Sequence, residues 1–221
     1  MAFPRPVKAV IFDMDGLLFD TEIVFFRAMQ AAGSEAGHDI PWELFLSLLG
    51  RDREYNYLRM REHFGAAFPA EPFHARCRDH MLVLLKDQLH LKAGAIEILD
   101  LLDRLRIPRA IATSSLRANV DHHLAAVGIS DRFHTIVANG DYINGKPHPE
   151  PYLTAAEQLG VDPSDCLALE DSYNGVRSAA AAGMMTVMVP DLLKATDEMR
   201  HLCTYIANDL HEVRRQFVHA A

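Results

Sequence analysis

Four short segments of this 221-residue chain carry side chains that could act together: Asp13-Met14-Asp15-Gly16, Thr113-Ser114, Lys146 within Asn144-Gly145-Lys146-Pro147, and Glu170-Asp171. Carboxylates in close company repel one another unless a cation sits among them, and hard oxygen ligands select Mg2+. A magnesium site is implied, with a phosphate as its natural substrate partner. Asp13 and Asp15 are separated by one residue, and Gly16 lets the chain turn, so both can face one cavity. One carboxylate held against Mg2+ stays ionised and can attack phosphorus in line, forming an aspartyl-phosphate. The other can protonate the leaving oxygen and later deprotonate water. Lys146 and the hydroxyls of Thr113 and Ser114 can hold the equatorial oxygens, where positioning and charge stabilisation do most of the work.

The elements that must position these groups are legible in the hydrophobic pattern. Short apolar runs at 9–12, 110–112, 135–137, 167–169 and 186–189 read as strands, several of them stopping at the polar or acidic residues named above. Their alternation with helical patterns marks parallel βαβ units, in which ligands bind beyond the carboxyl ends of the strands. Ala95, Ile98, Leu99, Leu102 and Leu105 share one helical face that packs on the sheet, and Ser172 caps a helix leaving the fourth strand. The segment after the first strand contains helical patterns only, at 21–32, 42–49, 54–64 and 73–89, interrupted by Gly33, Pro41, Gly65, Pro69 and Pro72. The expected organisation is α/β, a Rossmann-like parallel sheet core (1–17 and 90–221) with an inserted helical cap domain (18–89).

Composition narrows the function classes. With 22 Lys and Arg against 30 Asp and Glu, the net charge of −8 disfavours a nucleic-acid or anionic-membrane partner. No stretch approaches the roughly 18 apolar residues of a membrane helix, and the N-terminal apolar run is too short for a signal-peptide core. Cys77, Cys166 and Cys203, odd in number and widely spaced, suit a reducing cytosol, so a cytoplasmic location is expected. His74, Cys77 and His80 fall at three-residue steps, but a zinc site needs a further ligand and none is evident. The oligomeric state stays open.

The ordered set Phe12-Asp13-Met14-Asp15-Gly16-Leu17-Leu18-Phe19-Asp20-Thr21-Glu22, Ile111-Ala112-Thr113-Ser114-Ser115, Gly145-Lys146-Pro147 and Leu169-Glu170-Asp171-Ser172 closely resembles the haloacid dehalogenase superfamily. Singly, each motif has a plain structural reading: a strand-end turn, a helix cap, a turn lysine, an acidic helix start. Their order along the whole chain is what is specific. The resemblance implies Asp13 as nucleophile, Asp15 as general acid/base, Thr113 as phosphate-binding hydroxyl and Lys146 as charge-stabilising lysine. It implies Mg2+ ligation by Asp13, Asp171 and the backbone carbonyl of Asp15, with Glu170 a ligand or a support, and phosphate contacts from Ser114. Gly50-Arg51-Asp52-Arg53 is similar to the beta-phosphoglucomutase and sugar-phosphate phosphatase group, which would make Arg53 a substrate contact. Asp15 sets the chain apart from the dehalogenase and phosphonatase branches. Phe25 and Leu116 stand where the mutase has a histidine and a lysine, which favours hydrolysis. The expected function is a Mg2+-dependent phosphatase acting on a small phosphorylated metabolite such as a sugar phosphate. A phosphosugar mutase is the first alternative, and a phospho-aspartate signalling receiver is an alternative from another class.

Overall fold

The computed structural model describes residues 3–51 and 53–218; Asp52 of the arginine-rich segment lies outside them. The chain divides into two compact units, one formed by the residues up to Phe19 together with those from His90 onward, the other by Asp20–Leu89.

The first unit is built on a six-stranded sheet of β1 (Ala9–Phe12), β2 (Arg109–Leu116), β3 (Thr135–Asn139), β4 (Cys166–Glu170), β5 (Met185–Met188) and β6 (Tyr205–Ile206). Every pair is parallel, in the order β3-β2-β1-β4-β5-β6. All residues of β1, β4 and β5 are buried, as expected where both sheet faces are covered. Ala9 and Ile11 of β1, Ala110 and Ala112 of β2, and Cys166 and Ala168 of β4 alternate onto one face, where they meet Tyr152, Ala155 and Ala156. Small side chains there let a helix approach the sheet closely. Phe12 points to the opposite face and meets the Phe133 ring edge-on, with centroids 6.0 Å apart.

Among the described residues, six of the ten α-helices belong to this unit. The four of the helical unit are α1 (Thr21–Glu35), α2 (Trp42–Leu48), α3 (Arg53–Phe64) and α4 (Ala70–Gln88). The sheet unit holds α5 (Ala95–Leu105), α6 (Arg117–Ala126), α7 (Glu150–Leu159), α8 (Tyr173–Ala181), α9 (Asp197–Leu202) and α10 (Leu210–Val218). Helix α5 buries Ala95, Ile98, Leu99 and Leu102, but Leu105 is 43% exposed. It ends the helix where Arg106 turns the chain away at φ 55°, so the apolar stripe stops one turn short of the sequence expectation.

Two further boundaries moved for physical reasons. Helix α1 continues through Gly33 because that glycine makes a close approach: a Cβ there would lie 2.7 Å from both the His38 carbonyl and Ile40. Helix α4 begins before Pro72, which occupies the first turn, where a missing N–H forfeits no intrahelical bond. Leu18 and Phe19 belong to the sheet unit rather than to the helical one, since Leu18 O accepts from Lys92 N at 2.8 Å and Phe19 forms a bridge with Leu91. Within the helical unit, Phe26 packs between Trp42 and Phe45, with centroids 4.8 and 4.9 Å away, and Phe45 is fully buried.

Candidate active site

The carboxyl ends of β1, β2 and β4 lie side by side, with Phe12 paired to Ile111 on one side and to Leu169 on the other. The next residue along β1 is Asp13, whose N–H donates to Leu169 O at 2.9 Å. The chain then leaves the sheet through Met14 and Asp15 and turns at Gly16, φ 84°, whose N–H donates to Phe19 O. A Cβ at Gly16 would lie 2.4 Å from Asp171 Oδ2, so only glycine lets the β1 loop pass this close to the end of β4.

Strand β2 runs further than the apolar run suggests, through Thr113 to Leu116, and its pairing with β3 slips between Ala112 and Leu116. An irregularity of this kind re-aims side chains beside a site. Thr113 is buried; its Oγ1 accepts from Ser115 N at 3.0 Å and its carbonyl accepts from Tyr142 Oη at 3.1 Å. Ser114 is exposed, and Ser115 Oγ donates to Asp15 Oδ2 at 2.7 Å.

Lys146 completes the centre. Its ammonium donates to Asp13 Oδ1 and Glu170 Oε1, each at 2.5 Å, and its side chain is only 6% exposed. Glu170 is fully buried and its carboxylate is held from three sides. Tyr152 Oη donates to Oε1 at 2.7 Å, while Ser172 N and Oγ donate to Oε2 at 3.2 and 3.0 Å. Ser172 also accepts from Gly175 N, which is the helix cap expected for α8. Burial pushes the Asp13 carboxyl up, Lys146 pulls it back, and the Glu170 and Asp15 charges raise it again, leaving it at about 8. Burial pulls the Lys146 ammonium down, but Asp13 and Glu170 outweigh that and hold it above the ordinary lysine range. Burial and the neighbouring carboxylates hold the Tyr152 phenol well above its ordinary value, so it acts as a donor.

Among the described residues, Asp13, Glu170 and Asp171 form the one group of acidic, histidine or cysteine side chains whose ligand atoms converge, all within 4.8 Å of one another. Three buried carboxylates against one ammonium leave excess negative charge, and an all-oxygen donor set of this kind fits a hard divalent cation. His74, Cys77 and His80 do not converge: His80 Nε2 faces Glu35 at 3.1 Å, and Cys77 is buried. Arg53 opens α3 in the helical unit and is exposed. Ser115, Tyr152 and Ser172 join the centre without having been singled out for it from sequence. Ser115 adjoins the Thr113-Ser114 pair, and Ser172 was legible only as a cap, whereas nothing local marks Tyr152, which is recruited by the packing of α7.

The parallel sheet thus gathers two strand-end aspartates, a hydroxyl-bearing strand end, a buried lysine and a second acidic pair at the carboxyl ends of its strands. The sequence pattern of haloacid dehalogenase-like hydrolases matches residues 7–183, and the chain belongs to that family. The chain is 36% identical over 206 residues to the plasmid-encoded protein CbbY of Cupriavidus necator, covering 86% of this chain and 81% of that one. It is 30% identical over 178 residues to the phosphorylated carbohydrates phosphatase of Thermotoga maritima, covering 80% and 82%. The crystal structure of CbbY from Rhodobacter sphaeroides in complex with xylulose-(1,5)bisphosphate superposes with a TM-score of 0.78 at 25% identity, over 93% of this chain and 96% of that one. No helix among the described residues is long and apolar enough to cross a membrane.

Proposed function

We propose that the protein is a Mg2+-dependent phosphomonoester hydrolase that works through an aspartyl-phosphate on Asp13 and acts on a small phosphorylated metabolite such as a sugar phosphate. The observation that carries this reading is the placement of the Lys146 ammonium 2.5 Å from both Asp13 and Glu170, beside the convergent Asp13, Glu170 and Asp171 carboxylates. The phosphorylated-carbohydrate substrate class named for the Thermotoga maritima relative supports the choice of substrate.

On this reading Asp13, Asp171, Glu170 and the Asp15 carbonyl would hold Mg2+, which would supply positive charge to offset that of the phosphoryl oxygens and the carboxylates. Asp13 attacks phosphorus, the ester P–O bond breaks, and Asp15 gives its proton to the leaving oxygen. Asp15 then takes a proton from water, which attacks the aspartyl-phosphate and releases inorganic phosphate. Ser115 orients Asp15 through the 2.7 Å hydrogen bond. Lys146, Thr113 and Ser114 bind the phosphoryl oxygens as charge redistributes. Asp20–Leu89 is the cap in this scheme, Arg53 contacts substrate from it, and a cytoplasmic placement accords with three free cysteines. Leu116, 60% exposed, offers an apolar surface where a mutase would need a polar grip on a second phosphate.

The test is Mg2+-dependent phosphate release from sugar phosphates, phosphoglycolate, nucleotides and an aryl phosphate, run beside isomerisation of beta-glucose 1-phosphate. Release without isomerisation is expected. Isomerisation without net release would establish the mutase, and neither activity would overturn the phosphatase assignment for these substrate classes.

A further inference from the structure

Lys146 is delivered to a buried centre by an exposed segment. Ile143, Asn144 and Gly145 are all exposed, Ile143 at 91%, while the Lys146 side chain retains 6%. These three residues are not part of the apolar core, and a lysine side chain is flexible enough that its ammonium stays in place only if its backbone does. Downstream the anchor is Ser178, buried in α8, whose Oγ donates to His148 O at 2.6 Å. Upstream, Tyr142 packs on the sheet core and donates to Thr113 O at 3.1 Å, and between it and Lys146 the backbone of Ile143 and Asn144 is held by Glu150. Glu150 Oε1 accepts from Ile143 N at 2.7 Å, and its Oε2 accepts from Asn144 N at 2.9 Å and Asn144 Nδ2 at 2.8 Å.

We propose that Glu150 is a positioning residue for Lys146: by gripping the backbone at Ile143 and Asn144, it fixes the loop from which the ammonium reaches Asp13 and Glu170. An acidic residue in the first turn of a helix ordinarily serves the helix itself. Glu150 instead spends both oxygens on the preceding loop, closing a ring that contains Gly145, Lys146 and Pro147. These bonds, the Ile143 N–H first and then the side-chain and backbone N–H groups of Asn144, also hold its carboxyl below the usual range, so the clasp is charged at neutral pH. The proposal rests on the phosphatase reading for its catalytic consequence, but the position of Lys146 can be read without turnover.

The experiment compares wild type, Glu150→Ala and Glu150→Gln by brief reductive methylation, with peptide mass spectrometry reporting labelling at Lys146 against exposed Lys86 and half-buried Lys92. Kinetics on an aryl phosphate run in parallel. In Glu150→Ala, labelling at Lys146 rises about fivefold or more with Lys92 unchanged, and kcat falls about tenfold while KM moves less than about threefold. Glu150→Gln keeps one acceptor oxygen and recovers part of both, and it supplies the same comparison should the alanine variant fail to fold. Protection of Lys146 equal to wild type, or labelling that rises equally at Lys92, would overturn the positioning role. Wild type without phosphate release but with Glu150-dependent protection of Lys146 would overturn the phosphatase reading and leave the positioning role standing.

Discussion

Gly175 is the position where a single methyl group interrogates the whole centre. A Cβ built there lies 1.8 Å from Glu170 Cδ and Oε1, and 2.1 Å from Oε2, where ordinary contact begins near 3.4 Å. The carboxylate must therefore retreat by about 1.6 Å or α8 must shift by as much. Glu170 is fully buried, and it cannot retreat without breaking its bonds to Tyr152, Ser172 and Lys146. Overpacking of this kind costs about 1–3 kcal/mol, and each hydrogen bond lost from a charged group costs about 1.5–3 kcal/mol. Partial relaxation will recover some of that, so Gly175→Ala is expected to lose about 2–3 kcal/mol, a fall in melting midpoint of about 4–12 °C for a chain of this size. The catalytic loss is larger in proportion. On the proposed reading, displacing the Lys146 ammonium by about 1 Å costs roughly a hundredfold in rate. The assay is aryl phosphate turnover at saturating Mg2+, paired with a thermal scan of the same preparation. A variant with wild-type kcat and an unchanged midpoint would refute the argument that the Glu170 carboxylate is fixed where it lies.

Asp13→Asn is expected to lower turnover by about 10⁴-fold or more in the phosphate-release assay while its circular dichroism matches wild type, because the amide is isosteric but not nucleophilic. The pH dependence of the metal-free protein follows from the raised Asp13 carboxyl, at about 8 against an ordinary 3.8. The folded state holds that proton more tightly than the unfolded one, so the stabilisation is complete below about pH 4 and is lost as pH rises through about 8. The thermal midpoint in chelator should fall between about pH 5 and 8 and level off above that, and the fall should be smaller in Asp13→Asn. Mg2+ competes with the same proton, so calorimetric Mg2+ affinity should strengthen over that interval with proton release. Ser172→Ala removes the α8 cap together with one ligand of Glu170, and a loss of about 1 kcal/mol or somewhat more is expected by urea titration.

Much of the sheet could be read from the sequence because buried parallel strands are nearly continuous apolar runs, and β1 and β4 show this in their residues. The same rule explains where the reading stopped short. Thr113, Ser114 and Ser115 extend β2 although they are polar, since β2 pairs with β3 again at Leu116 and Asn139 beyond the irregularity, a long-range pairing that no local propensity reports. The fifth strand lies one residue earlier than its apolar run, because its pairing with β4 begins at Met185 opposite Leu167 and reaches the end of β4 at Met188 opposite Glu170. Strand β6 has two residues and no usable pattern. For the centre, Asp13, Asp15, Lys146, Glu170 and Asp171 announce themselves as charged residues beside strand ends. Tyr152 does not, since a buried tyrosine on an apolar helix face looks like packing until its hydroxyl is seen to reach Glu170.

The antiparallel bridge between Phe19 and Leu91, with Leu18 O accepting from Lys92 N, has a consequence for chain exchange. Pairing β1 with β2 requires closing a loop of roughly a hundred residues, yet loop-closure entropy grows only logarithmically, by about 0.6 kcal/mol per doubling of length. Because the bridge pins departure and return at one seam, the length and content of what lies between scarcely register in the sheet. Segments of other sizes can be spliced between Phe19 and Leu91 without altering a single strand register, so this joint is a socket at which the inserted unit can be exchanged while the sheet is kept.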